Sequence, residues 1–203
     1  MVFLPAFFSV YAKEHNLEYA HLKIDVQPDK LYPVLEAARL LGFNGLNITV
    51  PYKSDVVRYL DRIDTLAEKI GAVNTIVIRN EKLYGYNTDL YGAIRAIEEK
   101  IKRSINSRDK CLVIGTGGAA RAIVQGLIQR KSSVTVCYRE PKSIRTNSLM
   151  KDLRRKVEFI KNTKEIVRFI SKANIVCNAT SAGMYPHINE LPLKKQFIAK
   201  AAK

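Results

Sequence analysis

The run KCLVIGTGGAARAIVQGLIQR, Lys110 to Arg130, constrains the fold more than any other stretch of this chain. A short apolar segment meets Gly115, Gly117 and Gly118, and a helix-forming segment begins at once. The pattern Gly-x-Gly-x-x-Ala therefore runs from Gly115 to Ala120 between a strand and a helix. Glycines let the backbone turn tightly and come close to a pyrophosphate, whose charge is then met by N–H groups at the helix N-terminus. The glycine pattern alone is weak; with a strand before it and a helix after it, it points to a dinucleotide-binding turn of a parallel sheet.

The rest of the second half continues the alternation. SSVTVCYR reads as a strand, a helix comes next, KVEFI is strand-like, another short helix succeeds it, and ANIVCNATS is an apolar strand. This is a Rossmann-type half. At the end of its second strand an NAD-binding chain usually offers an acidic residue to the ribose hydroxyls. Here stand Tyr138 and Arg139, then Glu140, Lys142 and Arg145. Cations at that place suit a 2′-phosphate, so the cofactor expected is NADP. Glu140 runs against that reading, and Lys142 and Arg145 also fit an ordinary solvated loop.

In the first half, Pro5 to Asn16 reads as a helix, EYAHLKIDV alternates like a strand, Asp29 to Leu41 reads as a helix ended by Gly42, and GLNITV as the next strand, together a β-α-β unit. In LNITVPYK, strand alternation puts Asn47 and Thr49 on one face, and Pro51 ends the ladder. Lys53 then sits where the chain turns from strand to helix, a corner at which α/β proteins place chemistry. After a short helical stretch from Lys53 and the helix DTLAEKIG, ended by Gly71, two β-rich runs flank RNEK as a hairpin. A helix from Asp89 to Arg103 and a linker, SINSRD, complete the half. The fold class expected is α/β, with an N-terminal α/β substrate domain over residues 1–93 and a Rossmann-type domain over 94–203.

Composition sets outer bounds. The chain has 203 residues, 47% hydrophobic and 26% charged, enough for one or two domains with a core. No apolar run approaches the ~20 residues of a membrane span, and MVFLPAFFSV lacks a basic flank and a cleavage site, so a cytoplasmic protein is expected. Cys111, Cys137 and Cys177 read as buried thiols, and neither they nor His15, His21 and His187 have ligand spacing, so no metal is expected. The net charge of +15 is uneven: residues 1–93 hold 10 Lys and Arg against 11 Asp and Glu, and residues 94–203 hold 24 against 8. A solvated basic surface, a phosphorylated ligand and nucleic acid all fit that excess.

Four motifs in order, GFNGLNITVPYK, GAVNTI with GYNTD, VIGTGGAARA and NATSAGM, resemble the shikimate dehydrogenase family over nearly the whole chain. The resemblance implies reduction of 3-dehydroshikimate to shikimate with NADPH, a step of chorismate and aromatic amino-acid biosynthesis, in a cleft between a substrate domain and a Rossmann domain. It makes Lys53 the catalytic lysine and Asp89 its partner, with Thr49, Asn74 and Asp89 on the substrate hydroxyls. It places Gly115, Thr116, Gly117, Gly118 and Ala119 at the cofactor phosphates, Arg139 at the 2′-phosphate, and Thr180, Ser181 and Met184 near the ribose and nicotinamide. The partner implied is a small-molecule substrate; nucleic acid is not expected, because no aromatic and basic interleaving marks a binding module, and neither is a membrane, while a homodimer is left open.

Each residue has a plainer reading. A lysine after proline is commonly a solvated helix start, Asn87 and Asp89 suit a helix cap, Asn74 suits a turn, and Met184 suits ordinary packing. The chain also departs from the family. Val2 and Leu4 stand where two serines hold the substrate carboxylate, and Phe8 and Ser9 replace a histidine-asparagine pair. Tyr138, Arg139 and Glu140 replace Asn-Arg-Thr. The first strand and the last Rossmann strands and helices have no counterpart, so the chain reads as a piece truncated at both ends, its own activity open. A quinate-acting relative and a non-catalytic dinucleotide-binding remnant are the alternatives.

Overall fold

The computed structural model describes residues 4–139, 144–153, 155–185, 188–195 and 197. Val2, Glu140, Lys142 and His187 lie outside them, as do the side chains of Leu4 and Arg145. The chain divides into two compact units, residues 1–37 and 38–203.

The first unit holds helix α1 (Leu4–Glu14) and the beginning of α2 (Leu31–Leu40), which a single 3-10 turn at Pro28–Lys30 introduces. Phe8 stacks on His21 with ring centroids 5.0 Å apart, and Tyr19 lies 6.0 Å from Phe8. The strand expected from EYAHLKIDV is not formed: residues 18–26 carry no strand among the described residues. Alternation supplies a face but not a ladder; the segment belongs to neither sheet among the described residues, and Leu22 and Ile24 are exposed. The β-α-β unit read there is corrected accordingly.

The second unit contains two sheets. The first has the order β1-β3-β4-β2, built from β1 (Gly45–Asn47), β2 (Arg62–Ile63), β3 (Thr75–Arg79) and β4 (Lys82–Tyr86). β1 runs antiparallel to β3, pairing Gly45 with Val77 and Asn47 with Thr75. β3 and β4 form the expected hairpin, and Asn80 and Glu81 both adopt positive φ (48° and 59°), as a tight two-residue turn requires. Helix α3 (Thr65–Ile70) starts where the Asp64 carboxylate accepts from the Leu66 amide and stops at Gly71, whose φ of 67° suits its glycine.

Helix α4 (Asp89–Ile101) leads to the second sheet. All its strands are parallel, in the order β7-β6-β5-β8: β5 (Lys110–Ile114), β6 (Ser133–Tyr138), β7 (Glu158–Lys161) and β8 (Ile175–Asn178). The intervening helices are α5 (Gly118–Gln129), α6 (Ile144–Leu153) and α7 (Ile166–Ile170). This is the Rossmann-type alternation the sequence implies.

β5 is apolar on both sides because both sides are covered. Cys111 and Val113 join the core with Ala120, Val124 and Leu127 of α5, while Leu112 and Ile114 join Ile166 of α7 on the other face. Burying a side chain such as Leu127 stabilises the fold by roughly 2 kcal/mol. Cys111 and Cys137 are buried free thiols and Cys177 is partly buried. Burial pushes Cys137 and Cys177 up to about 11. No helix among the described residues is long and apolar enough to cross a membrane.

The segment read as a linker is pinned. Asp109 is buried, accepts from both terminal nitrogens of Arg103 at 2.8 and 2.6 Å, and accepts from the Asn106 amide at 3.0 Å. Nearby, Glu98 of α4 takes hydrogen bonds from Arg130 and from the Ile105 amide, so the end of α4 is tied to the end of α5.

Candidate active site

The corner around Lys53 differs in detail from its sequence reading. β1 ends at Asn47, not at Val50, and the chain then turns through residues 50–55 into a 3-10 turn at Val56–Tyr59 rather than a helix. The Ile48 amide still bonds the Asn74 carbonyl in register at 2.8 Å; beyond it the Tyr52 amide turns back to the Thr49 carbonyl at 2.9 Å, and the chain leaves the sheet. Asn47 and Thr49 therefore do not share a continuing strand face. The Thr49 side chain is exposed and makes no hydrogen bond among the described residues.

Lys53 itself is held firmly. Its carbonyl accepts from the Val73 amide at 2.7 Å, and its Nζ donates to Asp89 Oδ2 at 2.6 Å. Both side chains are largely shielded, at 17% and 25% exposure, so this is a charge-assisted hydrogen bond in a partly desolvated place. Asn74 completes the cluster by donating through Nδ2 to Asp89 Oδ1 and to Thr88 Oγ1, both at 2.8 Å. Its Oδ1 accepts from the Thr88 amide and the Thr75 hydroxyl at 3.0 Å. A backbone donor on that oxygen fixes which way the amide points.

Asn87 resolves the capping question. Its Oδ1 accepts from the amides of Asp89 and Leu90, and its Nδ2 donates to the Ala72 carbonyl at 2.9 Å. Asn87 thus caps α4 with its side chain and leaves the Asp89 carboxylate to Lys53 and Asn74. The ammonium keeps protons, and the carboxylate keeps lone pairs, for a ligand rich in hydroxyl and carbonyl groups.

The glycine turn stands beside this cluster. Gly115 has φ 118°, and a Cβ there would lie 2.9 Å from the Ala179 carbonyl oxygen and 3.2 Å from Thr180 Cγ2. Only glycine lets the first turn pass under the loop at the end of β8. Gly117 is the residue before α5, and a Cβ built on it meets nothing within 4 Å. That open space in front of a helix N-terminus, together with Thr116, Gly118 and Ala119 around it, fits a pyrophosphate. A Cβ on Gly118 would lie 3.0 Å from Lys53 Cβ and 3.5 Å from Ala72 Cβ, so the lysine stem lies directly on the glycine turn. The residues that suit a dinucleotide and those that suit a carbonyl substrate are therefore neighbours.

Arg139 is exposed at the carboxyl end of β6, next to the turn that begins with the Gly115 amide bonded to the Cys137 carbonyl. It has no ion-pair partner among the described residues, as an anion ligand would need. Beyond β8, Asn178 organises its turn: Oδ1 accepts from the amide and hydroxyl of Thr180 at 3.0 and 2.7 Å, and Nδ2 donates to the Ala182 carbonyl. Thr180 also accepts from the Ala182 amide, so its hydroxyl is spent within the turn. Ser181 and Met184 are exposed, and Met184 N–H bonds the Ser181 carbonyl. The geometry brings together Lys53, Asp89, Asn74 and Gly118, and it puts Thr180 against Gly115.

Two contributors were not read from the sequence. Ala72 serves through its carbonyl and carries no side-chain signal. Arg121 did leave one: it falls on the same helical stripe as Val124 and Ile128, an inward cation on an apolar face.

The family described as "Shikimate dehydrogenase substrate binding domain" matches residues 2–76. The shikimate dehydrogenase (NADP(+)) of Clostridium beijerinckii is 37% identical over 195 residues, covering 96% of this chain and 68% of its own length. That of Methanocaldococcus jannaschii is 38% identical, with 95% and 68% covered. A crystal structure of shikimate dehydrogenase in complex with NADP+ superposes with a TM-score of 0.82 at 34% identity, over 96% of this chain and 68% of that one. The Thermus thermophilus enzyme in complex with NADP(H) and shikimate gives 0.78 at 28%, over 95% and 69%. With the glycine turn, the lysine-aspartate pair and these relatives in agreement, the chain belongs to the shikimate dehydrogenase family.

Proposed function

We propose that the chain is an NADP-dependent shikimate dehydrogenase that interconverts 3-dehydroshikimate and shikimate. The observation that carries this reading is the 2.6 Å Lys53–Asp89 pair with the lysine stem resting on Gly118 of the dinucleotide turn. Residues 1–93 serve the substrate and residues 94–203 the cofactor, in the cytoplasm and with small molecules as partners; a homodimer is the assembly to test.

The residues present fit the cofactor, because the space around Gly117 in front of α5 is open and Arg139, at the carboxyl end of β6, is a cation without an ion-pair partner among the described residues. Gly115 to Ala119 would hold the pyrophosphate and Arg139 the 2′-phosphate, with Thr180, Ser181 and Met184 toward the ribose and nicotinamide. When bound, NADPH supplies the hydride. As the substrate carbonyl is reduced, negative charge grows on its oxygen; the Lys53 ammonium stabilises that charge and donates the proton. In the oxidative direction, neutral Lys53 takes the hydroxyl proton. Asp89 orients the amine and accepts from a substrate hydroxyl, Thr49 offers its hydroxyl to the ring, and Asn74 would serve the substrate by exchanging its hydrogen bond to Thr88 Oγ1 for one to a ring hydroxyl.

The test is steady-state oxidation of shikimate and of quinate by the purified chain with NADP+ and with NAD+. The reading expects shikimate with NADP+ to have the highest kcat/KM. Faster quinate oxidation would move the substrate assignment, and a preference for NAD+ would remove Arg139 from the cofactor site.

A further inference from the structure

We infer that Arg121 is a positioning residue that registers the cofactor turn against the Lys53 corner. The inference deepens the dehydrogenase reading and rests on it. Arg121 sits in the first turn of α5, three residues after Gly118, and is only 5% exposed. Its Nη1 donates to Asp152 Oδ2 at 3.1 Å and to the Ile70 carbonyl at 3.4 Å. The first contact keeps the buried guanidinium paired; the second satisfies a carbonyl that the end of α3 leaves without a helical partner.

The segment from Gly71 to Val73 makes that second contact consequential. Gly71 passes so close that a Cβ there would lie 3.1 Å from Arg121 Nη1. Ala72 then accepts from Asn87, which caps the helix bearing Asp89, and Val73 N–H bonds the Lys53 carbonyl. A single guanidinium on α5 therefore grips the segment on which both members of the Lys53–Asp89 pair depend. Three residues earlier the same helix offers its N-terminal turn, with Gly118 against the Lys53 stem. Hydride transfer requires donor and acceptor carbons held in register, and a displacement of about 1 Å far from the reacting atoms can lower the rate about 10²-fold. Arg121 touches neither ligand; it sets the spacing between the two groups that do.

The test uses Arg121→Met, which keeps a long stem of similar reach but removes the donors, and Arg121→Lys, which restores one cation. In Arg121→Met we expect kcat to fall at least about tenfold while NADPH affinity stays within about twofold, because the glycine turn is intact. The primary deuterium isotope effect on kcat, measured with cofactor deuterated at the transferred position, should rise as hydride transfer becomes limiting. Arg121→Lys should recover part of the rate. A fall in kcat with an unchanged isotope effect, explained by a smaller folded fraction, would overturn the inference, as would parent-like kcat. A second measurement needs no turnover. In the ligand-free chain, hydrogen exchange at the Val73 amide should accelerate at least about tenfold in Arg121→Met while exchange at Val113 in β5 is unchanged. Equal protection of Val73 in both proteins would also overturn the inference. If the parent chain binds both ligands and shows no turnover, the dehydrogenase reading falls, and the exchange result alone decides whether Arg121 holds the Lys53 corner.

Discussion

The aliphatic stem of Lys53 lies on Gly118, with Lys53 Cβ 3.0 Å from where a Gly118 Cβ would stand, while its ammonium donates to Asp89 at 2.6 Å. One side chain thus faces both the turn that suits a pyrophosphate and the carboxylate that suits a substrate hydroxyl. That double role decides which substitution tests it. Lys53→Met keeps the stem and removes only the ammonium. We expect kcat to fall by about 10² or more with NADPH affinity nearly unchanged. Turnover equal to the parent, alongside a binding titration, would remove Lys53 from the mechanism.

The glycine turn gives a second prediction. Gly118→Ala puts a methyl group into contact with the Lys53 stem and Ala72, so the stem must move. We expect a kcat loss of about tenfold or more, because the ammonium is misplaced, with a smaller change in thermal stability. An alanine variant with parent-like kcat would show that the Lys53–Gly118 contact does not set the position of the amine.

The choice of cofactor rests on Arg139, exposed at the end of β6. Arg139→Ala should weaken NADPH by roughly 1.5 to 3 kcal/mol, the worth of a charge-assisted hydrogen bond to phosphate, and leave NADH almost unaffected. Calorimetric titration of both cofactors checks this. An unchanged preference ratio between the two would contradict it.

Acid stability tests the clasp at the start of β5. The hydrogen bonds from Arg103, outweighing burial, hold the Asp109 carboxyl down at about 2. Because its folded value lies below the ~3.9 of an unfolded aspartate, this stabilisation is fully present above about pH 4 and is lost as pH falls through about 2. Arg103 is half-exposed, which screens the pair, so the contribution is about 1 to 2 kcal/mol. Urea unfolding of Asp109→Asn should show that deficit near neutral pH and a smaller one near pH 2. A deficit that does not shrink on acidification would locate the effect elsewhere than in the charge.

The dinucleotide half was legible because several local signals agree. The β5 strand is apolar on both faces, the glycines occupy the strand-to-helix turn, and α5 begins at once. The Asn80-Glu81 hairpin and the Gly71 stop were legible for the same reason, since a turn's backbone demands show in its own residues. Residues 18–26 were misread because alternation describes one strand while a sheet needs two. The strand read over 45–50 is shorter in the structure because the Tyr52 amide turns back to the Thr49 carbonyl once the last in-register bond, Ile48 to Asn74, is made, and that turn is not written in local propensity. SINSRD looked like a linker because its polarity hides a buried, doubly bonded Asp109. Within the candidate site, the motif resemblance pointed to Lys53, Asp89 and Asn74. The division of labour between Asn87 as cap and Asp89 as partner needed the geometry, because both residues suit either task.

The measurement that bears most directly on the account is formation of NADPH from NADP+ and shikimate by the purified chain, with binding of both ligands established first by titration. We expect NADPH formation by the parent and a rate at least about 10²-fold lower in Lys53→Met at equal occupancy. Equal rates in the two proteins, or a parent chain that binds both ligands and forms no NADPH, would contradict it.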